Sequence, residues 1–151
     1  EKLELTTDHW VVISALQEYY AKTEEIDRNM REMHDMLDER FHAHVALSGS
    51  QYVGFALVAP AIVTRQDGKW MEQFFVLKRH RRSGAGRALA VHTLQSHPGL
   101  WEVGQVPTNT AAQAFWREVI GTLTHGDYVE VQVTEGWWQG VVQQFHVHTA
   151  A

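Results

Sequence analysis

The segment Phe74-Phe75-Val76-Leu77-Lys78-Arg79-His80-Arg81-Arg82-Ser83-Gly84-Ala85-Gly86-Arg87 constrains the fold more than any other part of the chain. Four apolar residues read as the end of a strand, a basic stretch follows, and two glycines lead into a helix. A helix N-terminus presents N–H groups that no preceding turn can pair, and its dipole favours an anion there. Gly84 and Gly86 let the backbone approach a phosphate closely, and the arginines supply charge without a metal. The segment alone therefore predicts a phosphate-bearing ligand at the end of a strand. A P-loop would need Gly-x-x-x-x-Gly-Lys-Ser/Thr, and a dinucleotide fingerprint Gly-x-Gly-x-x-Gly; both are absent.

The elements around this segment follow from periodicity. Residues 2–5 read as a short strand, and Thr6, Thr7 and Asp8 offer N-cap chemistry. A helix follows, with Val12, Leu16 and Tyr19 on one face. Residues 24–40 read as a second helix, with Ile26, Met30, Met33 and Leu37 at helical spacing. From His42 the period becomes strand-like. Residues 42–47 and 51–58 form a hairpin about Ser48-Gly49-Ser50, and the second run continues past Pro60 to Thr64. Gln66-Asp67-Gly68-Lys69 is a turn with Asp-Gly at its centre, and residues 70–77 are the next strand. A helix then runs from Gly84 to about Ser96 and ends at Pro98-Gly99. Residues 100–106 are a strand, and 109–120 a helix with Ala112, Phe115, Trp116 and Val119 inward. Residues 127–134 and 137–147 are two final strands around Glu135-Gly136. The class is α+β (mixed α/β), and no linker or repeat divides the chain.

Composition narrows the function. The 151 residues are 44% hydrophobic and 11% aromatic, enough to build a core. A formal net charge of -5 disfavours a nucleic-acid binder and suits a cationic partner such as an amine. The absence of cysteine excludes disulfides, thiolate catalysis and Cys-ligated zinc. The longest apolar run, Val53 to Val63, is too short to span a bilayer. No membrane partner and a cytoplasmic location are the expectations. His42 and His44, and His146 and His148, are pairs on one strand face each, but no third ligand is evident, so no metal is expected.

The spacing Arg81-x-x-Gly84-x-Gly86 resembles the acetyl-CoA pyrophosphate loop of the GNAT N-acetyltransferase superfamily. The context extends the resemblance over roughly residues 69–120. An apolar strand with Val76 five residues before the Arg is followed by a helix, the strand Trp101-Glu102-Val103, and Asn109-Thr110-Ala111-Ala112-Gln113-Ala114-Phe115-Trp116. The stretches Glu72 to Leu77 and Phe115 to Ile120 are similar to a bacterial subgroup of predicted acetyltransferases. The resemblance implies the GNAT fold over residues 1–151 as a single domain. That fold has a central, mostly antiparallel sheet of six or seven strands, splayed parallel strands four and five, and about four helices.

The resemblance also implies a site. Pantetheine would pair with main-chain groups of Phe74, Phe75 and Val76. Pyrophosphate would sit on the amides of Arg82, Ser83, Gly84, Ala85, Gly86 and Arg87, with Arg81 nearby. Asn109 would bond the pantetheine arm. Charge alone suggests Arg79 or Arg87 for the 3′-phosphate. The chemistry implied is direct attack of a neutral amine on the thioester, with the Val76 amide as oxyanion donor and a carboxylate, or water it holds, as base. Glu72 shares strand parity with Phe74 and Val76; Glu102 occupies a Glu-Val position that some relatives use. Either could be the base, or neither. Trp116 stands where the family often has an acidic Tyr, and an indole N–H donates but is no usable acid. The thiolate, with a thiol pKa near about 8.5, can leave unassisted; Tyr128 or a bound water are substitutes.

Three functions stay open. The first is acetylation of a small primary amine, with an aminoglycoside-type antibiotic preferred on the acidic, Trp-rich character of the chain. The second is acetylation of a protein or peptide amine. The third is a catalytically silent acyl-CoA-binding sensor. The resemblance allows a homodimer.

Overall fold

The structure, a computed structural model, describes residues 3–6, 41–49, 51–60, 63–64 and 67–149. The helices expected over residues 9–40 lie outside the described residues. Among the described residues there are seven strands: β1 (Leu3–Thr6), β2 (His42–Ser48), β3 (Gln51–Pro60), β4 (Lys69–Val76), β5 (Gly99–Gln105), β6 (Tyr128–Val133) and β7 (Gly140–Val147). Two α-helices accompany them among the described residues, α1 (Ala85–Ser96) and α2 (Thr110–Thr124), together with a 3-10 turn at Lys78–His80. The sheet order is β1-β2-β3-β4-β5-β7-β6. The β1–β2, β2–β3, β5–β7 and β6–β7 ladders are antiparallel, and β4–β5 is parallel. A parallel pair needs a crossover, and α1 lies in that connection. Among the described residues no helix is long and apolar enough to cross a membrane.

Two compact units emerge, one from residues 1–59 and 72–89, the other from 60–71 and 90–151; β4 and α1 contribute to both. In the first unit, β2 and β3 pair from His42↔Val58 to Ser48↔Gln51, with an irregularity at Ala46/Leu47. Val53 and the run Phe55 to Ala59 are buried at both strand parities, so β3 is covered on both faces, which explains its unbroken apolar run. Gly54 interrupts that run for a steric reason. A β-carbon there would lie 2.3 Å from the Phe75 carbonyl oxygen and 3.1 Å from the Val76 Cα. Only glycine lets β3 approach β4 this closely.

In the second unit, β5 and β7 pair from Gly99↔Val147 to Gln105↔Val141. Their alternation sends Trp101, Val103, Gln105, Val141, Gln143, Phe145 and Val147 to one face, and all are buried. That face carries a polar network. Gln105 and Gln143 exchange amide hydrogen bonds at 2.7 and 2.9 Å, and Gln143 donates onward to Glu130 at 2.8 Å. Arg117 of α2 closes the chain with a fork on Glu130, at 2.8 and 2.9 Å. Both Gln143 amide hydrogens are thus used, the condition for burying such a group without penalty.

Helix α2 differs from expectation at both ends. Asn109 is its N-cap, its side-chain oxygen accepting from the Ala112 N–H at 3.1 Å. The helix does not end at Ile120 but continues through Gly121 to Thr124, after which His125 turns left-handed at φ 55. Its buried residues are Gln113, Trp116, Val119 and Ile120. Gln113 replaces Ala112 on the inner face because its amide bonds the Val106 and Pro107 carbonyls. The last strand begins at Gly140, so Trp137 and Trp138 precede it; Trp137 is 70% exposed.

The Arg117 hydrogen bond holds the Glu130 carboxyl below its ordinary value of 4.5, against partial desolvation and with help from Gln143. A depressed carboxylate contributes stability that is complete above its unfolded value and is lost as pH falls through the folded one. Glu130→Gln is therefore expected to lower stability slightly at neutral pH and to flatten the melting temperature against pH below 4.5. Thermal melts of both proteins from neutral to acid pH check this; an unchanged acid limb contradicts it.

Candidate active site

The first unit contains the strand end, the basic loop and the start of α1. Leu77 donates its N–H to the Val53 carbonyl on β3 at 2.8 Å. The peptide is trans, so the Val76 carbonyl points the opposite way. There it accepts from Arg81 Nε at 3.0 Å. In extended backbone a residue's own N–H and C=O share a side; the Val76 N–H therefore also points away from β3. Arg81 lies over the Phe75 ring, 6.0 Å from its centroid, and the two phenyl groups Phe55 and Phe75 stand 6.0 Å apart. One arginine thus fixes the orientation of the strand's last peptide. Glu72, half-buried, shares parity with Phe74 and Val76 on this strand.

The loop doubles back through two left-handed residues, Arg82 at φ 68 and Gly84 at φ 86. The second is free of the β-carbon penalty, while the first bears it. Ser83 bridges the turn, its hydroxyl donating to the His80 carbonyl and accepting weakly from the Ala85 N–H at 3.4 Å. The first helical turn closes only at Ala88, whose N–H reaches the Gly84 carbonyl at 3.0 Å. Arg82, Ser83 and Gly84 are exposed, Gly86 and Arg87 half-buried. No acidic side chain stands in the first turn to neutralise the helix dipole. The geometry suits an anion.

The second unit contains Glu102 and Asn109. Glu102 is fully buried, opposite Trp70 of β4 and Gln144 of β7. Its Oε2 accepts a hydrogen bond from the Thr64 hydroxyl, and Thr64 Oγ1 accepts from Gln144 Nε2 at 2.6 Å. Glu102 Oε1 is buried and has no hydrogen-bond partner among the described residues. Two residues along the same strand face, Gly104 leaves room for Trp70 and Trp138, whose rings meet edge to face at 5.2 Å. A β-carbon at Gly104 would lie 2.5 and 2.6 Å from them. Asn109 is exposed and already engaged as a cap.

The loop residues and Phe74, Phe75 and Val76 are therefore assembled as one arrangement, while Glu102 and Asn109 belong to the other unit. Thr64 and Gln144 escaped the sequence reading; they lie 38 and 42 positions from Glu102, and no local pattern marks them. Trp116 is buried and stacks edge-on against Phe115 at 5.1 Å. Among the described residues no group of three His, Asp or Glu could hold a metal. His44 is buried, and His146 and His148 are exposed with rings 4.4 Å apart.

The model of the acetyltransferase (GNAT) family matches residues 9–121. No curated protein sequence matches the chain. Solved structures resemble it in fold. The ribosomal-protein-S18-alanine N-acetyltransferase of Escherichia coli aligns with a TM-score of 0.68 at 12% identity, over 99% of this chain and 97% of its own. The ribosomal-protein-alanine N-acetyltransferase of Brucella melitensis aligns at 0.68 and 16% identity, over 95% and 99%. A GNAT acetyltransferase of Bacillus cereus aligns at 0.70 and 13% identity, over 97% and 99%.

Proposed function

The chain belongs to the acetyltransferase (GNAT) family, and from that premise we propose that it moves the acetyl group of acetyl-CoA directly onto a primary amine of a small molecule. An aminosugar antibiotic is the preferred acceptor, on the net charge of -5 and the six tryptophans. The observation that carries the reading is the strand-to-helix loop: Arg81 locks the peptide after Val76, and a glycine-bearing turn opens a helix whose first turn holds no acid.

The residues divide the work as follows. Main-chain groups of Phe74, Phe75 and Val76 bind the pantetheine arm, and Asn109 bonds it through the amide nitrogen that its cap leaves over. Amides of Arg82 to Arg87 and the Arg81 guanidinium hold pyrophosphate. The Val76 N–H, directed away from β3, donates to the oxygen of the thioester carbonyl as negative charge grows there. Glu102 Oε1 takes the proton of the attacking amine, and the C–S bond breaks to release the thiolate. Burial, and an oxygen with no hydrogen-bond partner among the described residues, support Glu102 as the base ahead of Glu72. Trp116 supplies no proton; the thiolate leaves as such.

A second reading, acetylation of a peptide α-amine, is supported by the two ribosomal-protein-alanine acetyltransferases among the similar folds. CoA release from acetyl-CoA tests both, with aminoglycosides, polyamines, amino acids and peptides as acceptors. Fast release with aminoglycosides is the expected result. Release only with peptides moves the function to the second reading. No release above the hydrolysis blank, with acetyl-CoA bound, points to a sensor.

A further inference from the structure

We propose that Thr64 is a positioning residue for Glu102: its hydroxyl, oriented by the Gln144 amide, holds Oε2 of the carboxylate and so leaves Oε1 in one orientation to act as the base. The inference rests on the reading of Glu102 as the base.

The direction of the relay follows from donor chemistry. The Gln144 amide nitrogen can only donate, so the Thr64 oxygen accepts from it, at 2.6 Å. The single Thr64 hydrogen is then free for one destination, and it goes to Glu102 Oε2. A hydroxyl donating to a carboxylate stabilises the charged form. This matters because Glu102 has no exposure and would otherwise pay the full desolvation cost of its charge. Thr64 itself reaches the surface. The hydrogen bond also restricts rotation of the carboxyl group by anchoring Oε2, while Oε1 has no partner among the described residues.

Among the described residues, the strand partners of Glu102 offer no other source of this stabilisation. Across the ladders stand Trp70 on β4 and Gln144 on β7, neither of which ionises. His146 follows Gln144 on the same face of β7, and Glu72 follows Trp70 on the same face of β4; neither is a permanent cation. Lys69 is directed to the opposite face by strand alternation. Asp67 is exposed in the chain segment before β4. Arg65 follows Thr64 in the chain and lies outside the described residues.

Thr64→Val removes the hydroxyl at nearly constant shape, and Thr64→Ser restores it. With carbon-13 in the Glu carboxyls, and the Glu102 resonance assigned by its loss in Glu102→Gln, the titration midpoint of Glu102 is read by NMR in each protein. Loss of a hydrogen bond to a charged group is expected to raise that midpoint by about one to two pH units in Thr64→Val, with Thr64→Ser returning it. The acid limb of kcat/KM should move up in step, with KM for acetyl-CoA unchanged. Gln144→Leu should shift the midpoint the same way by less. A midpoint unmoved in Thr64→Val overturns the inference. A wild-type protein inactive on every amine sinks the acetyl-transfer reading instead, and the titration still decides what Thr64 does to Glu102. Should Thr64→Val fail to fold, the Gln144→Leu midpoint decides, and its failure to move overturns the proposal.

Discussion

Acetyl transfer by Glu102→Gln is expected to fall about 10²- to 10⁴-fold in kcat, the range a positioned general base supplies. The substitution is close to isosteric. The amide oxygen can still accept from Thr64, so the local geometry has a reason to persist. What disappears is basicity at a group that is wholly buried and has one oxygen without a partner among the described residues. Stability should not suffer, because a neutral amide costs less to bury than a carboxylate. Acetyl-CoA affinity should also hold, since the basic loop proposed to bind its phosphates belongs to the other unit. Steady-state CoA release at saturating amine, together with calorimetric binding of acetyl-CoA, separates these quantities. A Glu102→Gln protein with wild-type kcat moves the base to Glu72, and Glu72→Gln run alongside shows whether it carries the loss.

The second large effect is expected at Gly54. In Gly54→Ala the new methyl meets the Phe75 carbonyl oxygen at 2.3 Å and the Val76 Cα at 3.1 Å. Both obstacles are backbone, so no side chain can swing aside, and β3 or β4 must move. Overpacking of this kind costs about 3 kcal/mol, or about 6–12 °C in melting temperature for a chain of this size. The displaced segment includes Val76, so kcat should fall more than acetyl-CoA affinity. Gly121→Ala is the control: its methyl would meet only the Tyr128 ring edge at 3.7 Å, inside a helix that favours alanine. Melting curves and CoA release for the two variants test the contrast. A Gly54→Ala protein as stable and active as wild type would falsify the close approach of β3 to β4.

What the sequence disclosed and what it withheld divide along range. The loop from Phe74 to Arg87 was readable because its meaning lies in adjacent residues: apolar strand, cations, glycines, helix. The hairpin of β2 and β3 is legible from two strand-length apolar runs flanking Ser48-Gly49-Ser50. Helix α2 is legible from its apolar spacing, but it runs past the expected end at Ile120 because the left-handed turn is made by His125. The start of β7 was set too early, because Trp137-Trp138 extends the apolar pattern though Gly140 opens the strand. Glu102 was singled out by its neighbour Val103. The partners that define its state, Thr64 and Gln144, come together only through the fold. The amide pair of Gln105 and Gln143 was likewise invisible, since a buried glutamine looks like a solvated one until its partner is known.

The basic loop has a kinetic consequence. Residues 78–87 carry five cationic side chains and no acid, in a chain whose formal net charge is -5. The two reactants of the proposed reaction, being of opposite sign, would thus be sorted before they touch the protein. A polyphosphate is drawn to one small stretch and repelled by the chain as a whole, while a polycationic amine feels the reverse. Such sorting acts over about 8 Å at physiological ionic strength and fades as salt is added, so the order and speed of loading become properties of the medium as much as of the site.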